Sequence, residues 1–262
     1  YCSFYHDEPR MSNTIIAYLA YGQTEVLDQA VISIKSLVCK AGAILPELDI
    51  LIYTDQPDYF RSFNLPNTGF ELLSAAQMRQ WRRPADYIHR IKSEMLPDVA
   101  RKYNPEKLFF VDSDTLFLTH PAQLFARIQP GQTLMHFAEG ALKTSSHLLH
   151  RKIYRRIHHL EFTVCGQRQR LSPDTMVWNS GVMGLHRADF HLLAQVLPLL
   201  DELYAAYPKH MMEQLAVAIV LQQNTTLSAC PADVLHYWSH KNELAPIIRQ
   251  AVQSNINPAD LQ

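Results

Sequence analysis

The sequence predicts an α/β fold: a mixed, mostly parallel central sheet flanked by helices. Two observations carry that prediction. The chain opens with a strand-helix-strand unit, and in mid-chain a fully apolar strand ends in two carboxylates one residue apart. The opening is Rossmann-like in its order of elements. It lacks a GxGxxG after the first strand, and the chain has no GxxxxGK[ST], so neither a dinucleotide fingerprint nor a P-loop is present.

The elements follow in order. Thr14 to Tyr21 reads as a buried strand stopped by Gly22. Thr24 caps a helix to about Lys40, with Val26, Leu27, Ala30, Ile34, Leu37 and Val38 at helical spacing. Leu48 to Tyr53 is a second strand, stopped at Thr54-Asp55. Tyr18, Tyr21 and Asp55 therefore fall near one sheet edge. There the rings suit stacking on a base and the carboxylate suits an imide or ribose hydroxyl; core packing for the tyrosines and a turn for Asp55 are the alternatives. Phe70 to Leu73 reads as a short third strand. A helix from about Ile88 to Tyr103 carries Arg90 and Lys92 near its start, where a helix N-terminus already favours phosphate.

The mid-chain strand Leu108 to Val111 leads into Asp112-Ser113-Asp114, with the apolar Thr115 to Leu118 following. In open α/β sheets ligands bind beyond the carboxyl ends of the strands. Alternation points Asp112 and Asp114 the same way, and two aligned carboxylates repel unless a cation lies between them. A hard divalent ion shared with a diphosphate fits that arrangement. A solvated turn after the strand is the plainer alternative.

From Lys143 to Arg170 seven basic residues stand against one acid, Glu161, with His147, His150, His158 and His159 interleaved. Leu148, Leu149, Ile153, Ile157 and Leu160 form an apolar stripe in helical register. The pattern suits a membrane-surface helix or one that meets an anionic partner, and equally a solvated helix face. Strand-like Thr175 to Trp178 leads into Asn179-Ser180-Gly181, where the glycine suggests close backbone approach. Helices follow at about 188–204 and 210–222. The second opens with Glu213-Gln214 among apolar neighbours, so Glu213 needs a partner or a function. The last strand, Asp233 to Trp238, runs into Ser239-His240-Lys241 and a terminal helix. In that position His236 is a candidate third ligand beside the two aspartates and Lys241 a candidate phosphate contact; an incidental histidine is the plainer alternative, and spacing alone does not choose.

Composition sets the bounds. The chain has 262 residues, 47% hydrophobic and 19% charged, enough for a substantial core. A net charge of −1 gives no general attraction to nucleic acid, and no nucleic-acid partner is expected. Four widely spaced cysteines argue against zinc and against a disulfide framework, and for a reducing, cytoplasmic setting, peripheral to the membrane if the basic segment meets it. No apolar run reaches the ~18 residues of a membrane span, so the chain reads as soluble. Met11 reads as a natural start, with residues 1–12 an N-terminal extension and 13–262 one domain.

Taken in order, these pieces resemble the GT-A glycosyltransferases, and among them the family-8-like group that includes glycogenin and the lipopolysaccharide galactosyl- and glucosyltransferases. The likeness runs from Thr14 to Lys241. It is carried by the opening strand and helix through Ser36-Leu37, Tyr53-Thr54-Asp55, Arg90-Ile91-Lys92, Asp112-Ser113-Asp114, Asn179 to Met183, Glu213-Gln214, and His236 with Lys241. The resemblance implies a GT-A sheet with a nucleotide-binding half and an acceptor-side segment at 138–170. It implies Mn²⁺ or Mg²⁺ on Asp112, Asp114 and His236, and a UDP-sugar donor whose phosphates meet Lys241 and Arg90 or Lys92. Asn179 would hold the donor sugar, and Glu213 and Gln214 would flank the anomeric centre. It also implies retention, with a glycan, lipid-linked or protein acceptor that the basic segment suggests is anionic.

Two departures stand out. The family usually has Asp-Gln where this chain has Glu213-Gln214. Its His-x-x-Gly-x-x-Lys ending is here His236-Tyr-Trp-Ser-His-Lys241, one residue shorter and without the glycine, so the third ligand is His236 or His240. A haloacid-dehalogenase-like phosphatase also places Asp-x-Asp after an apolar strand, but its motif has a further residue before the threonine and opens the fold. A non-catalytic nucleotide-sugar-binding or membrane-associated module is the alternative from another class.

Overall fold

The structure, a computed structural model, describes residues 13–255. The expected extension at 1–12, with Met11, lies outside the described residues. The first half comprises β1 (Thr14–Leu19), α1 (Thr24–Ala41), β2 (Leu48–Thr54), α2 (Pro57–Arg61), β3 (Thr68–Leu72), α3 (Ala75–Trp81), α4 (Arg90–Tyr103), β4 (Lys107–Val111), β5 (Thr115–Phe117) and α5 (Pro121–Ala126). Next come β6 (Gln132–Met135), β7 (Ala138–Ala141), α6 (Leu148–Ile157), β8 (Glu161–Val164), β9 (Gln167–Arg170), β10 (Met176–Trp178) and β11 (Val182–His186). The chain ends with α7 (Leu193–Ala206), α8 (Met212–Asn224), β12 (Thr226–Ala229), β13 (Val234–His236) and α9 (Lys241–Gln253).

Seven strands form the central sheet in the order β12-β6-β11-β4-β1-β2-β3. Only β11 runs against its neighbours β4 and β6; the other pairings are parallel. The sheet is buried on both faces, which is why β1 and β4 read as unbroken apolar runs rather than alternating ones. Successive β1 side chains go to opposite faces: Ile15 and Ala17 join the core beneath α4, α7 and α8, and Ile16 and Tyr18 join the core beneath α1, α5 and α9. The helical stretch Thr24–Glu47, α1 with the turn after it, is long and apolar enough to cross a membrane, contrary to the expectation that no segment is. Here α1 is a core helix, buried from Leu27 to Leu37, with Ser36 Oγ accepting the Phe117 N–H of β5 at 2.9 Å.

The basic segment differs from a single long helix. Helix α6 stops at Ile157, and β8 and β9 form a hairpin whose two-residue turn, Cys165-Gly166, has φ of 47° and 81°. Two successive positive φ values match the right-handed twist of paired strands, so the chain turns there. Ile153 and Ile157 are buried as the stripe predicts, but Leu148 faces outward. Strands β6 and β12 went unpredicted because each is four residues long and only partly apolar.

Candidate active site

Strand β4 ends at Val111, and the next three residues lie at the carboxyl edge of the sheet. Antiparallel β11 starts at that same edge, with Val182 opposite Val111 and the Asp112 N–H donating to the Gly181 carbonyl at 2.7 Å. Strand β13 pairs with β5 so that His236 stands opposite Thr115, one residue from Asp114, and the Tyr237 N–H donates to the Asp114 carbonyl at 3.1 Å. Three distant segments are thus fixed by main-chain register around one point. They form the floor of a cavity of about 940 Å³.

On that floor Asp112, Asp114 and His236 offer ligand atoms all within 4.8 Å of one another. His236 Nε2 is 3.3 Å from Asp114 Oδ2 and 3.8 Å from Asp112 Oδ2, and Lys241 Nζ is 3.0 Å from Asp114 Oδ2. No aligned hydrogen bond reaches that buried Oδ2. Asn179 sets the imidazole's tautomer. Its Oδ1 accepts from the Gly181 N–H and from His236 Nδ1, each at 3.0 Å, while its Nδ2 donates to Glu139 Oε1 at 3.0 Å. With Nδ1 held by Asn179, Nε2 is the ring atom that faces the two carboxylates, an arrangement satisfied by a proton shared with Asp114 or, in its place, a metal cation. Two carboxylate oxygens and an imidazole nitrogen fit Mn²⁺ or Mg²⁺. Burial tends to raise the Asp114 pKa, but His236 and Lys241 overcome it and bring it to about 2. His240 is exposed, with its ring on Ser239 Oγ, so His236 is the imidazole that joins the aspartates.

A second cluster forms the adjoining wall. Lys92, in the first turn of α4, is buried. Its Nζ reaches Glu213 Oε2 at 3.0 Å and donates to Ser180 Oγ and the Ser180 carbonyl at 2.8 and 3.1 Å. Burial alone would lower the Lys92 pKa, yet the Glu213 and Asp112 carboxylates raise it, so the amine is charged. Burial pushes Glu213 up despite Lys92, and its Oε1 has no partner. Gln214 Nε2 donates to Glu139 Oε2 at 2.8 Å.

Glu139, which sequence reasoning missed, is therefore a junction: it accepts from Asn179 and Gln214, and His150 Nε2 stands 3.4 Å away. Burial would raise its pKa, but His150, Asn179 and Gln214 together hold it below the ordinary range. No local motif marks it; the signal is only an acid near the start of the segment expected on the acceptor side.

Tyr21 lines the cavity, half-buried. Three expected site residues do not. Tyr18 is fully buried on the opposite sheet face, its hydroxyl 3.2 Å from Ser33 Oγ, because alternation turns it under α1. Asp55 accepts the Gly22 N–H at 3.1 Å and ties down the loop after β1. Arg90 turns away from Lys92 to pair with Asp201 at 2.8 Å and Glu94 at 2.5 Å, pinning α4 to α7. At two residues' spacing on a helix, two side chains leave on different faces.

Comparison with known proteins bears on the fold. No family model matches the sequence, and no curated protein does. Among solved structures the chain is similar to mouse xyloside xylosyltransferase 1 in its apo form, at 14% identity and TM-score 0.55, over 90% of this chain and 92% of that one. It is similar to the galactosyltransferase LgtC in complex with donor and acceptor sugar analogs, at 12% identity and TM-score 0.53, over 92% and 100%. An active-site mutant of LgtC gives 11% identity and TM-score 0.55 over 92% and 95%. The nearly complete mutual coverage shows that this chain has the GT-A fold of those glycosyltransferases.

Proposed function

We propose that this chain is a metal-dependent glycosyltransferase that moves a hexose-type sugar from a UDP-sugar to a glycan, lipid-linked or protein acceptor, with retention at the anomeric carbon. One observation carries the reading: in a GT-A fold, Asp112, Asp114 and Nε2 of His236 converge beside Lys241 at the floor of one large cavity, with Lys92 in the adjoining wall.

Asp112, Asp114 and His236 would hold Mn²⁺ or Mg²⁺, which supplies positive charge to a diphosphate leaving group. Lys241, half-exposed at the same floor, adds a mobile cation for the phosphates as the sugar bond breaks. Tyr21, in the loop just after β1, offers its ring to the base. The Glu139 junction orients Asn179 and Gln214 for the sugar hydroxyls. Glu213 supports the positive charge that develops on the sugar ring, as carboxylates do in glycoside chemistry, while Lys92 and Ser180 hold its other oxygen. Segment 138–170, which supplies Glu139, Ser146 and His147 to the wall, is our proposed acceptor-side part of the domain.

The test is a melting-temperature screen of UDP, GDP and CDP, each with and without Mn²⁺, on the wild type and Asp114→Ala. A ligand that binds only the native state raises the midpoint. The expected result is a Mn²⁺-dependent rise with UDP that Asp114→Ala abolishes. No shift with any nucleotide in a folded protein would defeat the proposal. Binding without release of sugar from any donor would favour a nucleotide-sugar-binding module.

A further inference from the structure

We infer that the outward face of α6, together with the apolar side chains at the cavity mouth, docks onto a membrane surface containing anionic lipid. Between Lys143 and Leu160 the chain has Lys143, Arg151, Lys152, Arg155 and Arg156 and no acid. Among the described residues none of the five is paired with a carboxylate, whereas Arg168 on the next hairpin is held by Glu202 at 2.9 Å. Helix α6 turns His150, Ile153 and Ile157 into the core. Leu148, Lys152, Arg155 and His159, at spacings of four, three and four, stand on the opposite face and are exposed.

The apolar component is what selects a bilayer. Leu148, the first residue of α6, is 51% exposed at the N-terminal end of the basic face. It follows His147, which lines the cavity, and the same cavity is bordered by Ile88 at 47% exposure and Trp238 at 49%. A soluble polyanion would use the cations and leave these three side chains in water. An anionic bilayer meets both, with headgroups for Lys and Arg and the acyl boundary for Leu, Ile and Trp. The inference concerns the surface and does not depend on the transferase reading.

The experiment is sedimentation of the chain with vesicles of phosphatidylcholine alone or with about 30% phosphatidylglycerol, at about 0.1 M and about 0.5 M salt. Binding is expected only with phosphatidylglycerol and low salt, with a blue shift of tryptophan emission as Trp238 leaves water. Lys152→Glu/Arg155→Glu is expected to weaken it about thirtyfold or more. Leu148→Ser, which leaves the charge intact, is expected to weaken it about tenfold. Both variants alter exposed positions, so each should melt with the wild type and keep its nucleotide-induced shift. Absence of pelleting with phosphatidylglycerol would overturn the inference. So would vesicle binding untouched by Leu148→Ser but lost with the charges, which would mark a site for a soluble polyanion.

Discussion

Gly181 is where a single methyl group tests the site most sharply. It lies between Asn179 and β11, and a Cβ there would sit 2.1 Å from His236 Cε1, 2.3 Å from Nδ1 and 2.9 Å from Nε2. Ordinary contact needs about 3.5 Å, so the ring must retreat by roughly 1.4 Å. The backbone cannot carry it away, because His236 is paired opposite Thr115 and Tyr237 is bonded to Asp114. The ring of His136 lies behind, its centroid 5.4 Å from that of His236. Metal-ligand bonds tolerate about 0.2 Å, so Gly181→Ala removes the nitrogen from the ligand set and breaks its bond to Asn179. Loss of even a supporting contact of this kind typically costs about 10- to 100-fold in metal affinity, or about 1.4–2.8 kcal/mol. Calorimetric titration of Mn²⁺ in the presence of UDP measures it. Gly69→Ala is the control, since its nearest neighbour is Leu51 Cδ1 at 3.8 Å. A folded Gly181→Ala that binds Mn²⁺ within about twofold of wild type would refute the assignment of His236.

Three further outcomes follow from the same geometry. Glu139→Gln puts an amide N–H₂ where a carboxylate accepts from both Asn179 and Gln214, so one contact becomes donor against donor; kcat for donor hydrolysis should fall about 10- to 100-fold while Mn²⁺ affinity holds, as steady-state kinetics and titration would show. Lys92→Met strands the buried Glu213 carboxylate and should cost about 3–5 kcal/mol in urea unfolding, with part regained in Lys92→Met/Glu213→Gln. Asp114 has its pKa lowered to about 2 in the metal-free native state against about 3.9 unfolded, so its contribution of about 2.6 kcal/mol is fully present above pH ~5 and lost as pH falls through about 2; Asp114→Asn should flatten that part of the stability curve.

The parts of the fold and site legible in the sequence are those set by periodicity and register. The unbroken apolar run of β4 marked a strand buried on both faces, and the acids after it fell at the sheet edge as ligand positions do. Tyr18 and Tyr21 show the limit: three residues apart, one ends in the core under α1 and the other lines the cavity, and composition does not say on which face the strand begins. Arg90 and Lys92 look alike in sequence, yet only Lys92 finds a buried acid beside the cavity, because Asp201 of α7 takes Arg90. Glu139 was illegible for another reason. Its role exists only once Asn179, Gln214 and His150 are brought together from three other segments, and each alone reads as an ordinary polar residue.

The most direct measurement of the central claim is nucleotide release from donor sugars. Incubated with UDP-galactose, UDP-glucose and UDP-xylose in Mn²⁺ and followed by proton NMR, the wild type should liberate UDP and free sugar from one of them, with the anomeric configuration of the donor retained at early times. Chelation of the metal or Asp114→Ala should abolish the release. A folded protein that binds Mn²⁺ and UDP yet releases sugar from none of the three, with or without candidate acceptors, would contradict the account.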